Sequence, residues 1–302
     1  MYYERVMKPL VTGATGFIGQ QLCKSLRAPN VLTRRPETVP AALASAACFR
    51  WDPSTEAPPI EALNGCDTVF HLAGEPVAEG RWNDAKKARI RDSRVVGTKN
   101  LVAGLGQLDQ PPKVMISASA VGFYGSRGNE ILSEDSPPSS GFLADVCQEW
   151  ENAAAAATGF GTRVVTVRIG MVLGKSGGGL AKMLPLFRLG LGGPLGSGRH
   201  WMPWIHVKDL VRLFVFAAAH EGVQGPMNGV APNPVTNQKF TRALGRAVRR
   251  PAVLPAPAFA LRLGLGGFAE VLLASQRVTP GAALGAGFKF DYDDIDSALA
   301  AL

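Results

Sequence analysis

Leu10 to Gln21 read LVTGATGFIGQQ: a short apolar strand, a turn with glycines at Gly13, Gly16 and Gly19, and the opening of a helix. Each glycine has its own task in such a turn. One bends the chain, one lets backbone N–H groups approach a pyrophosphate, and one lets the helix pack closely on its strand. The first turn of the helix, with Thr15, Phe17 and Ile18 around the glycines, supplies unpaired N–H donors and a partial positive charge. The strand before and the helix after supply the context that separates a dinucleotide cradle from a plain glycine turn.

Asn30 to Thr33 follow as a second strand, and Arg34 and Arg35 stand at its end with no acid before Glu37. The ribose of a bound dinucleotide lies at this point. An acidic residue there bonds a 2'-hydroxyl, whereas an arginine makes a charge-assisted contact to a 2'-phosphate. Thr33, Arg34 and Arg35 therefore favour NADP over NAD. Arg34 lies 15 residues after Gly19, fewer than the ~20 usual for the discriminating position, which implies a clipped loop between helix and strand.

Further apolar strands are expected at Cys48–Trp51, Asp67–Leu72, Lys113–Ser117 and Arg163–Ile169, with helices at Phe17–Arg27, Trp82–Leu105 and Asp145–Ala157 between them. This alternation predicts an α/β fold, a doubly wound parallel sheet of Rossmann type, with ligands beyond the carboxyl ends of the strands. Past Gly170 the pattern changes. Lys175–Gly179 and the glycine-rich run from Leu189 to Trp204 read as a covering loop without regular structure, before a helix at Val207–Ala219 and a strand at Pro226–Val230. The rest reads as mostly helical. The predicted organisation is an NADP-binding domain over 1–172 and a smaller C-terminal substrate or lid region over 173–302, whose later strands are able to rejoin the first sheet.

With 302 residues, 46% hydrophobic and 19% charged, the chain is long enough for one large or two modest domains. No run approaches the roughly 18 apolar residues of a membrane span. Met1 to Lys8 hold Glu4 and Arg5 with no apolar stretch after them, which reads against a cleavable signal and makes the first six residues an upstream extension. Cys23, Cys48, Cys66 and Cys147 form no Cys-x-x-Cys pair, so neither a metal site nor a disulfide framework is expected, and the compartment reads as cytoplasmic. The net charge of +8 comes with scattered basic pairs and no interleaved aromatic stripe. An anionic small molecule explains it more simply than nucleic acid, and no membrane partner is expected.

The runs Thr12–Gly19, Phe70–Gly74, Gly97–Leu101 and Ser117–Gly125 resemble the extended short-chain dehydrogenase/reductase superfamily. Leu72–Glu75, Arg81–Asn83, Gly190–Ile205 and Ala274–Val278 are similar to its atypical branch of NAD-dependent epimerase/dehydratase family proteins, sometimes labelled cell-division-inhibitor-like. The resemblance implies Leu72, Ala73 and Gly74 along the cofactor, with Arg94 where an asparagine is common and Arg89 beside it. It also implies a serine at Ser119, a pocket tyrosine at Tyr124, and a homodimer formed through two helices. The superfamily's Tyr-x-x-x-Lys pair falls on Leu143 and Cys147, and neither replaces an activated phenol or its lysine.

The expected function is an NADP-dependent oxidoreductase or epimerase-like enzyme acting on an unidentified small molecule. The alternative is a non-catalytic NADP(H) sensor. Ser119 and Tyr124 are the candidate catalytic residues, and Arg199 with His200 the candidate contacts to an anionic substrate. Cys147, His71 and His206 read as packing residues, and Glu149 and Glu151 as solvent-facing.

Overall fold

The computed structural model describes residues 7–302, so the reading of residues 1–6 as an upstream extension lies outside the described residues. The first half alternates strand and helix. It runs β1 (Pro9–Thr12), α1 (Phe17–Ser25), β2 (Asn30–Thr33), β3 (Ala47–Arg50), α2 (Ile60–Leu63), β4 (Thr68–His71), α3 (Asp84–Leu105) and β5 (Val114–Ala120). After a short β6 (Ile131–Leu132) come α4 (Phe142–Ala155) and β7 (Arg163–Ile169). All seven strands of the main sheet pair in parallel, in the order β11-β7-β5-β4-β1-β2-β3, where β11 is Gly225–Gly229.

The strands are apolar on both faces because helices cover both. Val11, Val31, Phe70, Ile116, Val165 and Val167 point to the side of α1 and of α6 (Val207–Ala219), meeting Leu22, Leu210 and Phe214. Their neighbours Leu10, Leu32, Val69, Met115 and Val164 face α3 and α4, meeting Leu101, Leu105 and Ala154. α3 starts at Asp84 rather than Trp82 because the Asn83 side chain accepts from the Lys86 amide at 2.8 Å and caps the helix there.

Two expectations need correction. After β8 (Met171–Leu173) the loop expected over Lys175–Gly179 gives way to helix at Gly178, which continues through residues 180–188, to which the sequence pattern assigns no element. Leu180, Leu184 and Phe187 form a buried stripe at helical spacing, and α5 (Gly178–Arg188) forms around it; the preceding glycines hid that period. The glycine-rich run also holds β9 (Trp201–Met202) and β10 (Trp204–His206). β10 pairs with β8, and β9 pairs with β12 (Val235–Thr236). β11 lies beside β7, so the main sheet draws on chain well beyond residue 172. The remainder is helical, with α7 (Asn237–Ala247), α8 (Ala258–Leu265), α9 (Phe268–Leu273), α10 (Gly281–Gly285) and α11 (Ile295–Ala300). β13 (Arg277–Val278) interrupts them and pairs with β6.

Gly19 lies on the first turn of α1, where an added Cβ would sit 2.3 Å from the Gly13 carbonyl oxygen and 2.6 Å from the Ala14 Cα. Replacing a helical glycine by alanine ordinarily stabilises by about 1 kcal/mol. Here the sign reverses: Gly19→Ala lowers the unfolding midpoint in denaturant, because α1 must move away from the Gly13–Ala14 turn.

Candidate functional site

The turn between β1 and α1 is built against the end of β4. Gly13 has φ +69°, and a Cβ there would fall 2.6 Å from the Leu72 carbonyl carbon and 2.7 Å from the Ala73 nitrogen. Only glycine meets both conditions. Gly16 donates to the Gly13 carbonyl (3.0 Å) and caps α1 without a side chain. The N–H groups of Phe17, Ile18 and Gly19 therefore have no intrahelical acceptor and face an open, anion-attracting helix end. Thr15 is exposed, and its carbonyl accepts from the Gln20 side chain (2.8 Å). The loop after β8 lies flat on the half-buried Phe17 ring: a Cβ on Gly174 or Gly177 would come within 2.4 or 2.5 Å of it. A cover over the cradle is thus part of the fold.

β2 ends at Thr33, whose hydroxyl accepts from the Arg35 amide at 3.3 Å, with Arg34 and Arg35 both exposed. Thr33 is the register partner of Arg50 on β3, so a third exposed guanidinium shares this corner of the sheet. The sequence reading missed Arg50, since only the pairing register brings it beside β2. Asp52, within electrostatic reach of Arg34, is engaged by the Ser54 hydroxyl and amide, which together with the Arg34 charge hold its carboxyl below the usual range.

At the end of β4 a chain of hydrogen bonds has only one direction available to it. Thr98 Oγ1 donates to the Arg94 carbonyl (2.5 Å), so it accepts from His71 Nε2 (2.8 Å). His71 Nδ1 must then accept from Thr12 Oγ1 (2.7 Å), which itself accepts from the amides of Leu72 and Ala73, both at 3.2 Å. Burial, reinforced by the Arg94 charge, pushes the His71 pKa down to about 3, and the ring stays neutral. His71 is the structural residue the sequence suggested: it ties β1, β4 and α3 together where they form the floor of the cleft.

Arg94 lies under that floor. Its Nη1 donates to the carbonyls of Glu75 and Ile90, both at 3.1 Å, and its guanidinium rests 5.0 Å from the Trp150 ring, against Gly74. Among the described residues Nε and Nη2 have no acceptor. Arg89 is turned instead to Glu75 (3.5 Å), which Lys86 also contacts at 2.8 Å. Chiefly through the Lys86 hydrogen bond, the Glu75 carboxyl stays below its ordinary range.

At the end of β5 the structure corrects the reading of Glu151. It does not face solvent: Arg168 grips it with two bonds of 2.9 Å, and Ser119 donates to it at 2.6 Å. Glu149 is at the surface, paired with Arg91. Arg168 also donates to the Tyr124 hydroxyl (3.0 Å), which donates onward to Asn228 Oδ1 (2.7 Å). The Arg168 guanidinium lies 3.5 Å from the Phe123 ring centre. Tyr124 is fully buried, and burial raises its pKa; its phenol is committed to this network rather than free in a pocket.

Leu143 packs on Gly122, and Cys147 donates to the Ala120 carbonyl at 3.6 Å. Burial pushes the Cys147 thiol up to about 11, so it acts as a small apolar group. The Arg94 charge lies within electrostatic reach of it. Arg199 and His200 do not act together: the arginine is exposed, whereas His200 is buried with no partner for Nε2 among the described residues. His206 caps α6 through Nδ1 and stacks on Tyr292, a packing role. Arg168, Glu151 and Asn228 escaped sequence reasoning because they lie on three separate elements. A charged residue inside the otherwise apolar β7 was the one available signal.

The cradle, the strand order and the helical C-terminal region agree with a family model described as the NAD dependent epimerase/dehydratase family, which matches residues 9–228. The chain belongs to that family. A second match, over residues 256–302, is to a domain of unknown function, DUF1731. An epimerase family protein of Mycobacterium tuberculosis is 42% identical over 290 residues, covering 96% of this chain and 95% of the relative. The human epimerase family protein SDR39U1 (isoform 2), solved with NADPH, is 34% identical with a TM-score of 0.89, covering 98% of each chain. A nucleoside-diphosphate sugar epimerase from Corynebacterium glutamicum is 36% identical with a TM-score of 0.77, covering 97% of this chain and 57% of that one. Among the described residues no helix is long and apolar enough to cross a membrane.

The side chains of Arg168 and Glu151 are 5% and 13% exposed. Truncating one partner of a buried pair strands the other charge at a cost of about 3–5 kcal/mol. Arg168→Met therefore destabilises by about that amount in urea unfolding, and the double variant Arg168→Met/Glu151→Leu recovers much of the loss.

Proposed function

We propose that this chain is an NADP-binding oxidoreductase or epimerase-like enzyme acting on an unidentified small molecule. One observation carries the reading: β1 and β2 are parallel neighbours, so the open helix N-terminus at Phe17, Ile18 and Gly19 and the exposed Arg34 and Arg35 stand at the same end of the sheet, where β2 ends without an acid. The backbone there suits a pyrophosphate, and the guanidinium groups suit a 2'-phosphate. The NADPH found with human SDR39U1 supports the same choice. Gly13 and Gly16 shape the turn, Thr15 edges it, and Leu72, Ala73 and Gly74 floor the cleft. The coenzyme, when bound, supplies a centre that gives or takes hydride.

The chain's own residues handle charge and protons differently from the superfamily. Leu143 and Cys147 cannot ionise usefully beside a substrate. Arg94 brings positive charge to position 147 from the neighbouring helix, and its Nε and Nη2 have no acceptor among the described residues. Ser119 donates its proton to Glu151, so its oxygen presents lone pairs, suited to accept from a substrate hydroxyl. In the enzymatic reading that acceptance is its role, with Glu151 holding the serine in position.

The commitment of Ser119 and Tyr124 to Glu151, Arg168 and Asn228 favours a second reading, an NADP(H) sensor in which the network only transmits the state of the cleft. Incubating the protein with NADPH and a cell metabolite extract separates the two. Steady loss of NADPH absorbance, or a metabolite converted to its stereoisomer at constant absorbance as an epimerase that returns its hydride requires, supports the enzyme; neither change across extracts, followed by absorbance and chromatography, supports the sensor.

The coenzyme assignment has its own test. By titration calorimetry NADPH binds more tightly than NADH, and Arg34→Asp reduces that preference at least tenfold, since a charge-assisted hydrogen bond is worth about 1.5–3 kcal/mol. Equal affinities in the parent protein would refute it.

A further inference from the structure

Residues 174–200 and 237–269 together hold ten lysines and arginines and no aspartate or glutamate, which exceeds the net charge of +8 carried by the whole chain. In the sequence these cations look scattered because the two stretches stand far apart. The fold joins the end of the first stretch to the middle of the second: Leu254 and Ala256 donate to the carbonyls of Gly192 (3.2 Å) and Pro194 (2.9 Å), Gly196 donates to Ala256 (2.8 Å), and Arg250 donates to the Arg188 carbonyl (3.1 Å).

The same two stretches expose large apolar side chains. Leu186, Leu189 and Leu191 protrude from the end of α5 and the loop after it, and Val253 and Leu254 from the strand-like segment hydrogen-bonded to that loop. α8 has no buried residue at all, and Phe259 and Leu263, one turn apart, are 73% and 77% exposed. Most of the large exposed apolar side chains of the described residues lie here. Arg246 and Arg262 are paired with Asp296 and Glu270 from outside the stretches, whereas Arg188, Arg249 and Arg250 meet no acid among the described residues.

Arginines without an acid partner beside protruding leucine and phenylalanine side chains are the composition that the water–lipid interface rewards: the apolar groups enter the acyl boundary and the cations meet lipid phosphates. A second copy of the same face would set arginine against arginine. The sequence leads to the expectation of no membrane partner, but the lack of a spanning helix among the described residues does not bear on a contact made from one side. We propose that this face, formed by the end of α5, the 189–196 loop, residues 249–256 and α8, is a docking surface for an anionic membrane.

The test uses the full chain with vesicles of phosphatidylcholine, either pure or mixed with phosphatidylserine, followed by flotation. The protein floats with the mixed vesicles and not with pure phosphatidylcholine, and added salt releases it. Phe259→Asp/Leu263→Asp lowers partitioning at least tenfold, and Arg249→Gln/Arg250→Gln by about fivefold per charge removed. Phe259→Asp/Leu263→Asp keeps its unfolding midpoint because both side chains are exposed, and the midpoint of Arg249→Gln/Arg250→Gln, which gives up the Arg250 bond to the Arg188 carbonyl, is measured beside its flotation. Failure to float with either vesicle overturns the proposal, as does equal flotation of the parent and Phe259→Asp/Leu263→Asp. It is equally overturned if light scattering shows a dimer that Phe259→Asp/Leu263→Asp dissociates, since a second copy then covers the face. Coenzyme titration of the same samples reads the cleft separately, so the two proposals stand or fall independently.

Discussion

The contact of Gly13 with the backbone of Leu72 and Ala73 is the constraint on which the cleft depends. It brings the first turn of α1 to the carboxyl end of β4 with no side chain between, and it positions Thr12 to receive the amides of Leu72 and Ala73. His71 then extends the same line to Thr98 on α3. Because Thr98 has its proton on the Arg94 carbonyl, every later donor and acceptor in the line is decided, and a neutral imidazole is the only form that satisfies both neighbours. Three elements are thereby held in one relative position without any ionic contact, and the open amides of α1 face outward from a rigid base.

Charge is introduced around this neutral line from the side. Arg94 sits beneath Gly74 and over Trp150, next to Cys147, and the Arg168–Glu151 pair sits one strand further on. The two guanidinium groups have contrasting surroundings. Arg94 is held by carbonyls and an aromatic face, with donors to spare. Arg168 has four of its five N–H groups engaged by Glu151, Tyr124 and the Glu134 carbonyl. A group with spare donors is suited to meeting a ligand, and an engaged one to fixing the elements around it. This difference is why the proposed function gives Arg94 the task of bringing charge to position 147 and Arg168 that of holding Glu151 and Tyr124 in place.

The sheet and the coenzyme cradle were legible because their signals are local. The glycine spacing, the apolar runs and the two arginines after β2 each lie within a few residues of one another, and β2, β7 and α6 begin and end within a residue or two of where the pattern puts them. α5 was missed because three glycines interrupt the residues that announce it, while its buried stripe begins only at Leu180. Glu151 was misplaced because nothing near it in sequence reveals Arg168, which comes from a strand 17 positions later. Arg50 becomes a neighbour of Thr33 only through strand register, and the basic and apolar face assembles only when residues 190–196 and 254–256 meet. What the sequence conceals here is partnership across elements, not the elements themselves.

The place of β11 has a consequence for how the molecule is made. β7 carries Val165 and Val167, both fully buried, yet on one side its partner is a strand more than fifty residues later. While the chain is emerging from the ribosome, β7 is an uncovered edge with apolar side chains and unpaired amides, and it stays so until residues 225–229 arrive with α6 already in tow. Nascent chains stalled in that interval would present a sticky border to one another, so the quickest relief is for synthesis to run without pause through the glycine-rich region.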